Sequence, residues 1–185
     1  MNLPTAQAHQ PDHETAASAS RSLPAEIAIV ITDVDGVLTD GGLYYGPQGE
    51  EIKRFNVRDG LGIRLLQDAG VEVAVVSGRS SPPLERRVRD LGIQHFYAGV
   101  SDKGEAVRTI LAATGIPASG AVFVGDDIID YLGFDAVGFA VAVADAPDYV
   151  KGRADMTLST PGGYGAFREL ADAIIIAKGL AHLLH

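Results

Sequence analysis

The run Ile29-Val30-Ile31-Thr32-Asp33-Val34-Asp35-Gly36-Val37-Leu38-Thr39-Asp40-Gly41 constrains this chain more than any other stretch. Its uninterrupted, β-branched apolar start fits a strand buried on both faces, as a central strand of a parallel sheet must be. The strand ends in two carboxylates spaced i, i+2 and then a glycine, so whatever lies beyond its carboxyl end meets Asp33 and Asp35. In an open parallel sheet, ligands bind in that crevice. An isolated Asp-x-Asp-Gly is also an ordinary strand stop and turn, so the rest of the chain must decide between the two.

With 185 residues the chain has room for one domain with a full core. The spacing of apolar and turn residues places that domain at 25 to 180. Residues 1 to 24, rich in Ala, Ser, His and Pro, lack the apolar centre of a signal peptide and are expected to form a disordered leader. Residues 181 to 185 are expected as a tail. Two short β-type runs flank Gly46-Pro47-Gln48-Gly49, which predicts a hairpin over about 42 to 56. It carries more apolar surface than a lone hairpin tolerates, so it either packs on another subunit or covers a site.

A helix is expected from about Leu61 to Ala69, stopped by Gly70. The strand Val71 to Val76 ends in Ser77, and Ser81 before Pro82 caps a helix to about Leu91. A short strand follows from Gln94 to Ala98, then a helix opened by Lys103 and running through Leu111. Ala121 to Gly125 is a fourth strand ending in Asp126-Asp127. Strands at Val137 to Val143 and Met156 to Leu158 precede a last helix over about Ala166 to Lys178. Strands alternating with helices predict an α/β fold, a doubly wound, Rossmann-like parallel sheet with right-handed crossovers. The hairpin is the insertion after the first strand, and the stretch from Ser77 to Lys103 is used up by a helix and a strand, so no cap domain fits.

Composition removes several function classes. A net charge of −9 argues against nucleic acid as a partner, since that affinity comes from Lys and Arg neutralising phosphates. Without cysteine there is no disulfide framework and no thiolate metal site. The histidines, His9, His13, His95, His182 and His185, have no metal-like spacing, so a metal would be held by oxygen. The apolar run Ala173 to Ala177 is far short of the roughly 20 residues of a membrane span, so no membrane partner is expected and a cytoplasmic location is.

Four consecutive strand or helix junctions thus carry Asp33/Asp35, Ser77, Lys103 and Asp126/Asp127. Each alone has an ordinary explanation: Ser as a turn former, Lys as a solvated helix start, Asp as an N-cap. Turn chemistry does not explain their joint arrival at one sheet edge. Their order resembles the haloacid dehalogenase-like superfamily, in particular its capless phosphatases, over roughly residues 27 to 178. More narrowly, Asp33 to Gly41, Gly49-Glu50-Glu51 with Lys53 and Phe55, Asn56-Val57-Arg58-Asp59-Gly60, Ser77-Gly78-Arg79, Gly125-Asp126-Asp127-x-x-Asp130 and Gly162-Gly163-x-Gly165 resemble the 3-deoxy-D-manno-octulosonate 8-phosphate phosphatase family. The segment Tyr131-Leu132-Gly133-Phe134 departs from the expected aromatic-or-Leu, Pro, Val, Met continuation.

The resemblance implies hydrolysis of a sugar-acid phosphate through an aspartyl-phosphate on Asp33, with Asp35 protonating the leaving oxygen and then activating water. It implies Mg²⁺ held by Asp33, Asp126 and the backbone carbonyl of Asp35, since carboxylates beside a phosphate dianion need a hard cation. Ser77 would hydrogen-bond the phosphoryl group and Lys103 balance its charge. Asn56, Val57, Arg58, Asp59, Gly60, Arg64, Arg79, Arg87, Lys103 and Asp127 would surround the substrate; Asp127 and Asp130 also read as caps of the following turn. A homotetramer assembled through the hairpins is implied, with Tyr44, Tyr45 and Ile52 buried between subunits. A nine-carbon sugar acid 9-phosphate is an alternative substrate. A receiver-type phosphoacceptor domain is a further reading, although there the Lys follows the last acidic strand end. A non-catalytic sugar-binding module would have no use for the Asp33/Asp35 pair.

Overall fold

In the computed structural model, residues 21 to 185 are described; most of the expected leader therefore lies outside the described residues. The elements in chain order are β1 (Ile29–Thr32), β2 (Tyr44–Gly46), β3 (Gly49–Ile52), α1 (Val57–Asp68), β4 (Glu72–Ser77), α2 (Pro82–Leu91) and β5 (His95–Ala98). They continue with α3 (Lys103–Thr114), β6 (Ala121–Gly125), α4 (Tyr131–Phe134), β7 (Phe139–Ala142), α5 (Asp148–Lys151), β8 (Met156–Thr157) and α6 (Ala166–Ala177). Six strands form one parallel sheet in the order β5-β4-β1-β6-β7-β8, and β2 and β3 pair separately as the antiparallel hairpin. The doubly wound expectation and the hairpin insertion are both met.

Every residue of β1 is fully buried. Burying such β-branched side chains contributes roughly 1.5 to 3 kcal/mol each, which is why this run takes the centre of the sheet. Chain order reverses on either side of β1, with β4 and β5 on one flank and β6, β7 and β8 on the other. That reversal makes the β1/β6 boundary a topological switch point, where the connecting loops part and leave a crevice. Register then sets the site. Thr32 aligns with Val75 of β4 and Val124 of β6, so the residues just beyond, Asp33, Ser77 and Asp126, emerge together at one edge.

The structure corrects several boundaries. The first helix starts at Val57, not near Leu61, because Asn56 is its N-cap and its side chain accepts from the Arg58 N–H. Helix α3 runs on to Thr114, where Gly115 takes the left-handed conformation. Ser81 occupies the N-cap position of α2 as expected, yet its hydroxyl makes no capping bond and is buried without a partner. The expected tail at 181 to 185 instead carries a 3-10 turn, Ala181–Leu184, whose Leu183 and Leu184 pack against the core. At the other end, Arg21 donates from its backbone to Asp155 O at 2.9 Å and ion-pairs with the Asp155 carboxylate. Among the described residues no helix is long and apolar enough to cross a membrane.

Candidate active site

Asp33 follows β1 directly, its N–H donating to Val124 O of β6 at 3.0 Å. Its carboxylate is almost fully buried and lies 2.8 Å from Nζ of Lys103, the first residue of α3. The same ammonium reaches Oδ1 of Asp130 at 2.5 Å. Lys103 is itself buried, so the solvated helix-start explanation fails for it. Burial alone would push its ammonium down, but Asp33 and Asp130 together outweigh that and hold it above its ordinary value.

Asp126 ends β6 beside them. One of its oxygens, Oδ1, is buried and has no hydrogen-bond partner. Gly36, at φ +91°, is what lets this carboxylate sit against the Asp33 loop: a Cβ there would overlap it. Burial, with the neighbouring charges of Asp33 and Asp130, pushes Asp126 up to about 8. Asp33 is raised to about 6, by burial first and then by Asp130, against the opposing pull of Lys103. One lysine does not balance these three acids, and the excess negative charge suits a cation. Oxygens of Asp33, Asp126 and Asp130 lie within 4.8 Å of one another. Asp130, however, has both oxygens committed, Oδ1 to Lys103 and Oδ2 to the N–H groups of Asp126 and Asp127. Asp126 keeps an unpartnered oxygen and Asp33 one that Lys103 does not hold, and their all-oxygen chemistry fits a hard divalent ion.

Asp35 turns its carboxylate to the hairpin. Its Oδ1 pairs with Nζ of Lys53, whose side chain is fully buried, and Oδ2 is buried with Nε of Arg79 at 3.8 Å. Glu50 completes this cluster at 2.8 Å from Lys53 and 3.2 Å from Arg79. Burial would raise Glu50, but hydrogen bonds from Lys53 and Arg79 outweigh it and hold the carboxyl below its ordinary value. Ser77, buried at the end of β4, accepts from the Arg79 N–H at 3.2 Å, which leaves its hydroxyl proton free to donate.

The remaining expected residues divide. Asn56 donates to Gly163 O at 3.3 Å and so ties the start of α1 to the loop packed on Gly36. Val57 is 82% exposed and Arg58 lies beside Gly165 at the α6 end. Asp59, expected around the substrate, is instead buried and accepts from the Arg168 N–H at 3.0 Å, serving the uncapped amino end of α6. Gly60 makes room for the Arg87 guanidinium, which donates to Asn56 O at 3.1 Å and lies over Phe55. Arg64, also expected near the substrate, donates to Asp90 O at the carboxyl end of α2, the end away from the acids, so these contacts do not bring it to them. Asp127 caps the 3-10 turn Ile128–Asp130 through the Ile128 N–H.

Three members of the cluster were not among the expected site residues: Asp130, Glu50 and Lys53. For Asp130 the cap reading was correct and incomplete, since it caps with one oxygen and holds Lys103 with the other. The i, i+3 spacing of Glu50 and Lys53, opposite charges at the end of a strand, was the available signal. The departing segment forms α4. There Gly133 leaves room for Phe123, to which its Cβ would come within 2.7 Å, and Phe134 meets that ring edge-on at 5.9 Å. This segment packs on Phe123, and Asp130 just before it keeps its bonds with Lys103 and the Asp126 N–H.

A family profile described as haloacid dehalogenase-like hydrolase matches residues 95–165. A 3-deoxy-D-manno-octulosonate 8-phosphate phosphatase of Haemophilus influenzae is 54% identical over 153 residues, covering 83% of this chain and 85% of that one. The chain belongs to this phosphatase family. It is therefore a phosphoric monoester hydrolase. Its relative in Escherichia coli K12 is 45% identical over 83% of this chain and 81% of its own. The cobalt-bound form of the Haemophilus influenzae phosphatase superposes with a TM-score of 0.84 at 52% identity, over 85% of this chain and 92% of that chain. The Moraxella catarrhalis phosphatase, solved with magnesium, phosphate and KDO, gives 0.83 at 34% identity, over 86% and 92%. The cluster of this phosphatase at the β1/β6 switch point lies where a doubly wound sheet places its chemistry.

Proposed function

We propose that this phosphatase hydrolyses 3-deoxy-D-manno-octulosonate 8-phosphate to the free sugar acid and phosphate, with Mg²⁺, in the cytoplasmic synthesis of the lipopolysaccharide core sugar. The observation that carries the chemistry is the Lys103 ammonium bridging Asp33 and Asp130 beside an Asp126 carboxylate with an unpartnered oxygen. The substrate rests on the family relationship and on the capless architecture.

Asp33 attacks phosphorus as the bond to the sugar oxygen breaks, and the leaving oxygen takes a proton from Asp35. A water molecule then attacks the aspartyl-phosphate, gives its proton to Asp35 and releases inorganic phosphate, returning Asp33. Lys103 balances the charge that builds on the phosphoryl oxygens, and Ser77 donates its hydroxyl proton to one of them. Held by Asp33, Asp126 and the Asp35 carbonyl, Mg²⁺ would neutralise the carboxylates that otherwise repel a phosphate dianion. The Arg79 guanidinium lies 3.8 Å from Asp35, and a planar fork of this kind suits a sugar acid's carboxylate or phosphate.

Phosphate release from a panel of sugar-acid phosphates, with Mg²⁺ and with excess chelator, tests the reading. The octulosonate 8-phosphate is expected to be preferred and chelator to abolish turnover. Preference for a nine-carbon 9-phosphate would replace the substrate, and full turnover in chelator would remove the metal.

A further inference from the structure

The side chain of Lys53 is completely buried, although it comes from an exposed hairpin. Burying an ammonium is costly unless it is closely paired. Its partners are Oδ1 of Asp35 and Glu50, 2.8 Å away. Glu50 is held from its other side by Arg79 at 3.2 Å, and Arg79 in turn donates to the Tyr45 hydroxyl at 2.9 Å. Within hydrogen-bond distance this chain of contacts reaches only Oδ1 of Asp35, while Nε of Arg79 stays 3.8 Å from the second oxygen. That oxygen, Oδ2, is buried and accepts no hydrogen bond.

A carboxylate in an open crevice rotates about its terminal torsion, because that torsion is broad and two-fold. Fixing one oxygen removes this freedom and commits the second to the reacting group. We propose that Lys53, held by Glu50, is the positioning residue for Asp35: it anchors Oδ1 so that Oδ2 alone faces the leaving oxygen and, later, the attacking water. The hairpin is then part of the acid-base apparatus of its own subunit, besides any role in assembly. This inference rests on the reading of Asp35 as the proton donor given above. In the step concerned, the Asp33 oxygen to phosphorus bond forms, the ester bond breaks, and the proton of Asp35 Oδ2 passes to the departing alkoxide.

A staple that merely holds the hairpin and a positioner of the acid differ in one measurable respect. Alkyl leaving groups need a proton as they depart, whereas p-nitrophenolate leaves without one. The value of kcat/KM reports the steps up to leaving-group departure. With Mg²⁺ present, Lys53→Met is expected to lower kcat/KM by about 100-fold on the sugar phosphate and on a simple primary alkyl phosphate, and by less than about tenfold on p-nitrophenyl phosphate. Glu50→Gln, a milder change, is expected to show the same inequality at smaller size. Circular dichroism establishes that each variant is folded, and if Lys53→Met is not, the ratio in Glu50→Gln decides. Equal losses on alkyl and aryl esters in the folded variant would overturn the proposal. Wild-type protein that cleaves simple alkyl phosphates but not the octulosonate phosphate would overturn the substrate reading and leave this ratio standing.

Discussion

The ammonium of Lys103 stands 2.8 Å from the carboxylate of Asp33, and both groups are almost fully buried. Two further acids, Asp126 and Asp130, share the same enclosure, so a single lysine faces three carboxylates there. Removing the cation leaves buried charge uncompensated, at a cost of about 3 to 5 kcal/mol for a buried pair that loses one partner. Lys103→Met is therefore expected to lower the melting temperature in chelator at pH 7 and to lower kcat by about 100- to 1,000-fold with Mg²⁺. Calorimetry and steady-state kinetics check both, and a variant as active as the wild type would remove Lys103 from the mechanism.

The same enclosure makes stability depend on pH in a defined direction. Asp33 and Asp126 are raised to about 6 and about 8 from an ordinary value of 3.8. The folded state thus binds these protons more tightly than the unfolded chain. Their contribution is fully present below pH 3.8 and is lost as pH rises through about 6 and then about 8. Glu50 and Glu169 are shifted the other way, but their titration lies at or below the ordinary 4.5 of a glutamate, outside the window that matters. Metal-free protein is expected to melt at progressively lower temperature between pH 5 and pH 8, by roughly 2 to 4 °C for each kcal/mol lost. Added Mg²⁺ should reverse the trend, most strongly at pH 8, where it no longer competes with protons. A melting temperature in chelator that rises across this range would contradict the burial of these acids.

Gly36 supplies a third test. Its φ of +91° and its approach to the Asp126 carboxylate both exclude a side chain. Gly36→Ala is expected to cost about 1 to 2 kcal/mol from the backbone alone. By displacing Asp126 it should also weaken Mg²⁺ binding by about tenfold or more. Titration calorimetry with Mg²⁺ reads the second effect without reference to turnover, and unchanged affinity would show that Asp126 does not hold the ion.

What the sequence made legible follows from which signals are local. β1, β6 and α2 could be placed because a continuous apolar run and a Ser-Pro start need no partner to be recognised. Asp33, Ser77, Lys103 and Asp126 could be grouped because strand ends in a doubly wound sheet converge on one edge. The start of α1 was lost because Asn56-Val57-Arg58-Asp59-Gly60 resembles a loop until Asn56 is seen to cap it. The true partner of Asp59 lies 109 positions away, at the amino end of α6, and no local spacing announces it. The role of Lys53 was hidden for a related reason: its i, i+3 spacing to Glu50 signals a pair, and only the tertiary fold lays that pair over Asp35.

The hairpin carries the last prediction. Tyr45 and Ile52 are 64% and 62% exposed, and Leu43 and Tyr44 lie beside them with nearly half their surface open. So much contiguous apolar surface is unusual on a monomer. Its polar side is engaged over Asp35 through Lys53, and the described residues leave these apolar side chains largely uncovered. We propose a homotetramer in which hairpins of identical subunits meet, burying this surface and restricting water at the uncapped crevice. Tyr45 is a poor probe of that contact, because its hydroxyl also accepts from Arg79. Ile52, which aligns with Tyr44 across the hairpin and makes no side-chain hydrogen bond among those described, separates assembly from chemistry. Ile52→Asp is expected to yield smaller species by light scattering at micromolar concentration, with folding retained. The same change should lower activity by about tenfold and weaken discrimination between sugar-acid phosphates, because water and competing esters then reach the crevice. A wild-type monomer with full, selective activity would show that the crevice needs no second subunit to close it.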